Sequence, residues 1–277
     1  MNRIRSIILL SAVMILVSAC ATKIPITAVQ LSDNDGSHSS SITKRQIERW
    51  VKQANRTWKK RGYKITFRGK KDIVRVRSTL LNTQPPDSDD STWEIYRIAG
   101  NYLASELPAG RIPVFFRGRG NSAWSWGPGN TNFISMPDFD QACTSDKGAG
   151  TYCHHGCCTD LTLLSHELGH YFGLAHTFTD ADCDKLTKEN SNGDLRGQVY
   201  GDKADNVTDT ASDPSAGCLA PKSRQCSGSV TVNGVTFHPP WHNLMSNHAC
   251  LPKKISDDQA KVIEHSFKQP WRQQLGK

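Results

Sequence analysis

Long apolar runs are scarce in this chain of 277 residues. The longest, Ile7 to Val17, falls short of the roughly 20 residues a helix needs to cross a bilayer, which argues against a membrane-spanning protein. Methionine is rarer still, at four residues, and after Met136 only Met245 remains. No internal repeat is present, so solenoid and propeller architectures are excluded. Fourteen Lys or Arg residues between Lys44 and Arg77 face only Glu48 and Asp72, yet no recognised nucleic-acid motif accompanies them. Nucleic acid is therefore a disfavoured partner, and the stretch reads as a solvated face that suits anionic envelope surfaces.

What is present begins with Arg3 and Arg5, the apolar run, and Val17-Ser18-Ala19-Cys20. This order resembles the lipobox of bacterial lipoproteins. The resemblance implies a signal peptide over residues 1–19, lipid attachment at Cys20, and a membrane-anchored place in the bacterial cell envelope. Ala21, where an aspartate would mark retention, resembles lipoproteins sent to the outer membrane. An ordinary cleaved signal is the alternative, and both readings export the chain. Without Arg3 and Arg5 the formal charge of +8 falls by two, to +6. Residues 20–41 end in a polar run, Asp33 to Ser41, and read as a flexible tether.

Export favours disulfides, and Cys143, Cys153, Cys157, Cys158, Cys183, Cys218, Cys226 and Cys250 form an even set beyond Cys20. The adjacent Cys157 and Cys158 are expected to serve different partners, because a vicinal bridge strains the peptide between them. A Cys-His zinc cluster over residues 153–158 is the rival reading.

From residue 42 the pattern is that of a folded domain reaching to residue 277. Thr43 and Gln46 form a capping box, Ile47, Trp50, Val51, Ala54 and Trp58 share one helical face, and Gly62 ends the helix. Strands are expected at Tyr63 to Phe67, Ile73 to Val76, Ile112 to Phe116 and Asn132 to Met136. A second helix, capped by Ser91 and Glu94, presents Ile95, Ile98, Ala99, Tyr102 and Leu103, and a third covers Leu161 to Phe172. Residues 177–235 show little periodicity. Ser256 and Gln259 cap a last helix carrying Ala260, Ile263 and Phe267, which Pro270 stops.

The third helix carries the chemistry. His166-Glu167-Leu168-Gly169-His170-Tyr171-Phe172-Gly173-Leu174-Ala175-His176 fits H-E-x-x-H-x-x-G-x-x-H at every fixed position. At this chain's own residue frequencies a chance match has a probability of about two in a hundred thousand. Histidines four apart share a helical face and can approach one Zn2+ ion, and Gly173 can turn the chain so that His176 reaches it too. Three neutral imidazoles leave an open position for water, and Glu167 can act as general base. A closed structural zinc is the alternative, but such sites take four ligands and are rich in cysteine.

Histidines at this spacing are the hallmark of metzincins, whose methionine turn Asn243-Leu244-Met245-Ser246 suits. More specifically the chain resembles the pappalysin, or cytophagalysin, family, through Asp205-Asn206-Val207-Thr208-Asp209-Thr210, Cys250 and Ile255-Ser256-Asp257-Asp258-Gln259. The resemblance implies an α+β metzincin-like zincin domain. Its upper lobe, about 42–174, would hold a twisted mixed sheet with helices, and its lower lobe, about 175–277, would be irregular and disulfide-bonded. It also implies zinc-dependent endopeptidase activity on extracytoplasmic proteins, with one catalytic zinc ion and a protein or peptide as partner. Calcium is a candidate second ion, with Asp202, Asp205 and Asp209 as oxygen donors. Two positions depart from the family: Asn247 stands where a tyrosine commonly supports the zinc site, and Ala211 replaces a proline. Asn247 motivates the alternative of an envelope-tethered zinc-binding protein with little or no activity.

Overall fold

Parallel strands cannot be joined by a tight turn, so a parallel sheet demands helical crossovers. The computed structural model describes residues 21–86, 90–144, 151–154, 157–178, 207, 209–211, 213–214, 218–219, 226–248, 250–270 and 275. In it, β1 (Thr22–Ser32) is the central strand. It runs parallel to β2 (Tyr63–Thr66) at its start and to β3 (Ile73–Arg77) towards its end, with β4 (Ile112–Arg117) on its other edge. Strand β4 pairs in parallel with β5 (Ile134–Pro137). The crossovers are α1 (Lys44–Trp58), between β1 and β2, and α2 (Thr79–Asn82) with α3 (Trp93–Ser105), between β3 and β4. An antiparallel bridge from Trp124 to Ser135 makes the sheet mixed.

The tether reading therefore fails for residues 22–32. Ile24, Ile26, Ala28, Val29 and Leu31 are buried on both faces of β1, as central parallel strands require. Its polar Lys23 and Thr27, and the Asp33 to Ser41 run that follows, mask this pattern in sequence. Pro25, which lacks a ladder donor, lies ahead of Ile26, where pairing with β4 begins. The folded domain starts at β1, not at residue 42.

Helix α1 has the expected capping box and buries Ile47, Trp50, Ala54 and Trp58. After a 3-10 turn, Lys59–Arg61, Gly62 takes the left-handed conformation that ends it (φ 79°). Helix α3 packs Ala99 and Leu103 against the core as expected but is otherwise rotated from expectation. Ile95, Ile98 and Tyr102 are 60%, 56% and 68% exposed, whereas Tyr96 and Gly100 are buried. The cause is Gly100, whose missing side chain lets the helix lie directly on the Phe133 ring. Glu94 pairs with Arg97 and does not complete a cap.

Strands β6 (Cys143–Thr144), β7 (Thr151–His154) and β8 (Cys157–Asp160) form a small antiparallel sheet leading into α4 (Leu163–Tyr171). Cys153 is bonded to Cys158, directly across β7 and β8, which removes both sulfurs from any zinc cluster there and gives Cys158 a partner other than Cys157. Cys226 is bonded to Cys250, and Cys218 is also disulfide-bonded. Cys183 lies outside the described residues, as do the side chains of Cys143 and Cys157. Further on come the hairpin β9 (Val230–Val232) and β10 (Val235–Phe237), and α5 (Asp257–Lys268) with the expected Ser256 and Gln259 capping box. Leu244, Met245, Ile255 and Ile263 join the same core as β1, α1 and α4, so the C-terminal segment packs under the sheet. Among the described residues no helix is long and apolar enough to cross a membrane.

Candidate metal centre and active site

Two tryptophans of α1 position α4 from behind. Trp50 Nε1 donates to the Asp160 carbonyl (2.9 Å) and Trp58 Nε1 to Ser165 Oγ (3.0 Å). Asp160 Oδ1 accepts from the Thr162 N–H and hydroxyl, ordering the entry to the helix. At the other end Gly173 adopts φ 93°, Gly173 N donates to His170 O (2.8 Å) and Leu174 N to Gly169 O (2.9 Å). This left-handed cap reverses the chain and returns His176 to the helix.

The outcome is a convergent cluster. The Nε2 atoms of His166, His170 and His176 lie 3.0–3.1 Å from one another. Ligands about 2.0–2.1 Å from a tetrahedral zinc would be roughly 3.3–3.4 Å apart, so the cluster has the dimensions of one face of such a site. The far nitrogens set the tautomers: His166 Nδ1 faces the Leu244 carbonyl at 3.0 Å and His170 Nδ1 the Leu174 carbonyl at 2.8 Å. Each Nδ1 donates its proton there, which leaves the Nε2 lone pair directed at the centre. Burial pushes His166 down to about 3, with the neighbouring His170 adding to the effect, and burial pushes His170 down to about 4. His176 is likewise driven well below the usual imidazole range by burial and by both neighbours. Three rings held neutral and facing one another suit a shared cation.

Glu167 is 4% exposed, and its Oε2 has no hydrogen-bond partner among the described residues. Burial raises its carboxyl to about 8, against an opposing pull from Arg117. A buried carboxylate oxygen left unsatisfied is a poised acceptor, and a costly one to retain without use.

Beneath the cluster, the segment Asn243 to His248 ties the histidines together. Leu244 O accepts the hydrogen bond from His166 Nδ1, and Met245 O accepts from Thr177 N (3.2 Å), next to His176. Met245 is fully buried, with its sulfur packed on Gly169. Asn243 and Gln259 exchange two amide hydrogen bonds of 3.1 Å, which fasten the turn to α5.

Sequence reading missed three polar groups here. Lys253 is 5% exposed and its Nζ donates to the carbonyls of Asn243 (3.2 Å), Ser246 (3.0 Å) and His248 (2.5 Å). Asp213 is fully buried and accepts from Thr177 Oγ1 (3.1 Å), Ser246 Oγ (3.0 Å) and His248 Nε2 (2.8 Å). Arg117, at the end of β4, is buried with its guanidinium on the carbonyls of Arg119 and Ser122. Isolated charged residues carry no periodic signal, so only the structure shows these roles.

Of the other site residues, Asp209 caps α5: its carboxylate accepts from Ser256 Oγ (2.7 Å) and Asp258 N (2.9 Å). Asp202, Asp205 and Cys20 lie outside the described residues. Tyr171, inside the zinc motif, is buried in the core and lines a groove with Ala104 and Pro113.

A family model for reprolysin-like metallopeptidases, family M12B, matches residues 44–177. No curated protein shows significant similarity to the chain. Among solved structures, mirolysin in complex with compound 9 superposes with a TM-score of 0.57 at 13% identity, covering 92% of this chain and 96% of that one. Mature mirolysin of Tannerella forsythia with a cleaved peptide gives 0.55 at 12% identity, over 92% and 95% of the two chains. Tannerella forsythia promirolysin gives 0.53 at 12%, over 93% and 84%. At such identities the likeness establishes the fold. The family match falls on the strands, helices and histidines that build the cluster, and on that ground the chain is a zinc metalloendopeptidase with a metzincin-like fold.

Proposed function

We propose that the chain is an exported, pappalysin-like endopeptidase that cleaves extracytoplasmic proteins, with His166, His170 and His176 holding one zinc through Nε2 and Glu167 acting as general base. The observation that carries this reading is the convergence of three Nε2 atoms, two of them on rings whose Nδ1 is committed to a carbonyl, beside the unpartnered Oε2 of Glu167. When bound, zinc supplies Lewis acidity and makes water acidic enough to react near neutrality. Glu167 removes a proton from the attacking water as the new C–O bond forms, then delivers it to the departing amine nitrogen as the peptide C–N bond breaks. Met245 and the turn around it act as the floor that holds the first and third ligands in register.

The same reading places the chain in the bacterial envelope, anchored at Cys20 and directed to the outer membrane. Fatty-acid labelling should mark the wild type and spare Cys20→Ala; an unlabelled wild type removes the anchor. For the peptidase, the chain from residue 21 is stripped of metal with a chelator, reloaded with zinc, and assayed on a diverse peptide library. One zinc per chain together with cleavage that follows zinc supports the proposal. One zinc per chain with no cleavage supports the inactive binding protein instead.

A further inference from the structure

The basic stretch after α1 has no part in the peptide chemistry, and the fold brings one piece of it to the start of the chain. Thr22 N donates to the carbonyl of Gly62 (2.8 Å), which fixes the beginning of β1 against the turn after α1. Lys23 then stands beside Lys64 in the parallel register of β1 and β2. Lys59 and Lys60 belong to the 3-10 turn that leads into Gly62. All four lysines are exposed, and none takes part in an ion pair among the described residues. Arg61, the remaining cation of the turn, is committed to Asp257 (2.6 Å).

Like charges side by side on neighbouring strands cost stability unless an anion offsets them. Only Ala21 separates Cys20 from β1, and one residue spans at most about 3.6 Å, so a lipid on Cys20 would bring this turn within a Debye length of the headgroups. Cations held that close to an anionic bilayer each contribute about 1 kcal/mol.

We propose that Lys23, Lys59, Lys60 and Lys64 form a membrane-facing surface that seats the domain on anionic lipid headgroups. Its orientation rests on the anchor reading above, but its electrostatics do not need the lipid. With no tether, the seat fixes which face of the domain turns to the bilayer.

The test uses the chain from residue 21, which contains every described element of the fold. Co-flotation is measured at low salt with vesicles of phosphatidylcholine alone and with added phosphatidylglycerol. The wild type should float only with the anionic vesicles and be released by salt. Lys23→Gln/Lys64→Gln and Lys59→Gln/Lys60→Gln should each weaken partitioning about 25-fold, while Lys70→Gln/Lys71→Gln, an equal change in net charge in the 3-10 turn Gly69–Asp72 that lies against Lys44 at the other end of α1, should leave it nearly unchanged. Absence of wild-type binding, or an equal loss in the control pair, overturns the proposal. Cleavage of a soluble peptide is followed in the same samples. A peptidase that cleaves but does not float refutes the seat alone, and fatty-acid labelling judges the anchor independently.

Discussion

Gly169 separates two effects of opposite sign. It lies inside α4, where replacing glycine by alanine would by propensity alone stabilise the helix by about 1 kcal/mol. The added Cβ would, however, overlap the Met245 sulfur outright, with Met245 Cε at 3.3 Å and Leu174 Cδ1 at 3.5 Å. Overpacking of this kind costs about 1–3 kcal/mol, and Met245 is fully buried, so its side chain must shift within the core. Sterics should therefore offset or outweigh propensity for Gly169→Ala, a net loss of up to about 2 kcal/mol that lowers Tm by up to about 8 °C at the scale of a domain this size. Zinc should also be lost faster to a chelator, because the turn that shifts holds His166 through Leu244 O. Thermal unfolding of Gly169→Ala, Met245→Ala and the double variant closes a mutant cycle. The double variant should be more stable than the sum of the two losses, since truncating Met245 makes room for the new methyl group. A Gly169→Ala protein with raised Tm, or strict additivity in the cycle, would refute the contact between the zinc helix and the methionine turn.

Asp213→Leu leaves Thr177, Ser246 and His248 donating into an apolar site, so it should cost about 3–5 kcal/mol and speed zinc release; unchanged Tm and zinc retention would dismiss Asp213 as a clamp. Asp33 is held down to about 2 chiefly by its bond to Asn82, with Arg119 and His38 adding to it. Its folded value lies below the ordinary carboxylate value of 3.8, so its contribution is complete above about pH 4 and lost as pH falls through 2. Asp33→Asn should flatten the acid limb of stability against pH in that window and leave the neutral region parallel to wild type.

The cluster was legible in sequence because its information is local. A four-residue spacing on a helix and a glycine at its end suffice to converge three side chains, and the capping boxes at Thr43 and Ser256 are equally local. Strand β1 was not. Its burial comes from pairing with residues 63–66, 73–77 and 112–116, and nothing within 22–32 announces those partners. Helix α3 misled for a related reason: hydropathy favours Ile95 and Ile98, but the close approach of Phe133 to Gly100 turns the helix onto Tyr96, Ala99, Gly100 and Leu103. Asp213 works through contacts made only when distant loops meet, and Lys253 and Arg117 through carbonyls of the turns beside them, whose geometry no side-chain pattern announces, so their charge told nothing of their place.

The central claim is that Glu167 moves the proton beside a zinc held by His166, His170 and His176, and Glu167→Gln tests it most directly. The substitution keeps size and removes the base, so zinc content should stay at one ion per chain while kcat falls by about 10²–10⁴ on a peptide the wild type cleaves. A Glu167→Gln protein that carries zinc and cleaves at the wild-type rate would contradict the account.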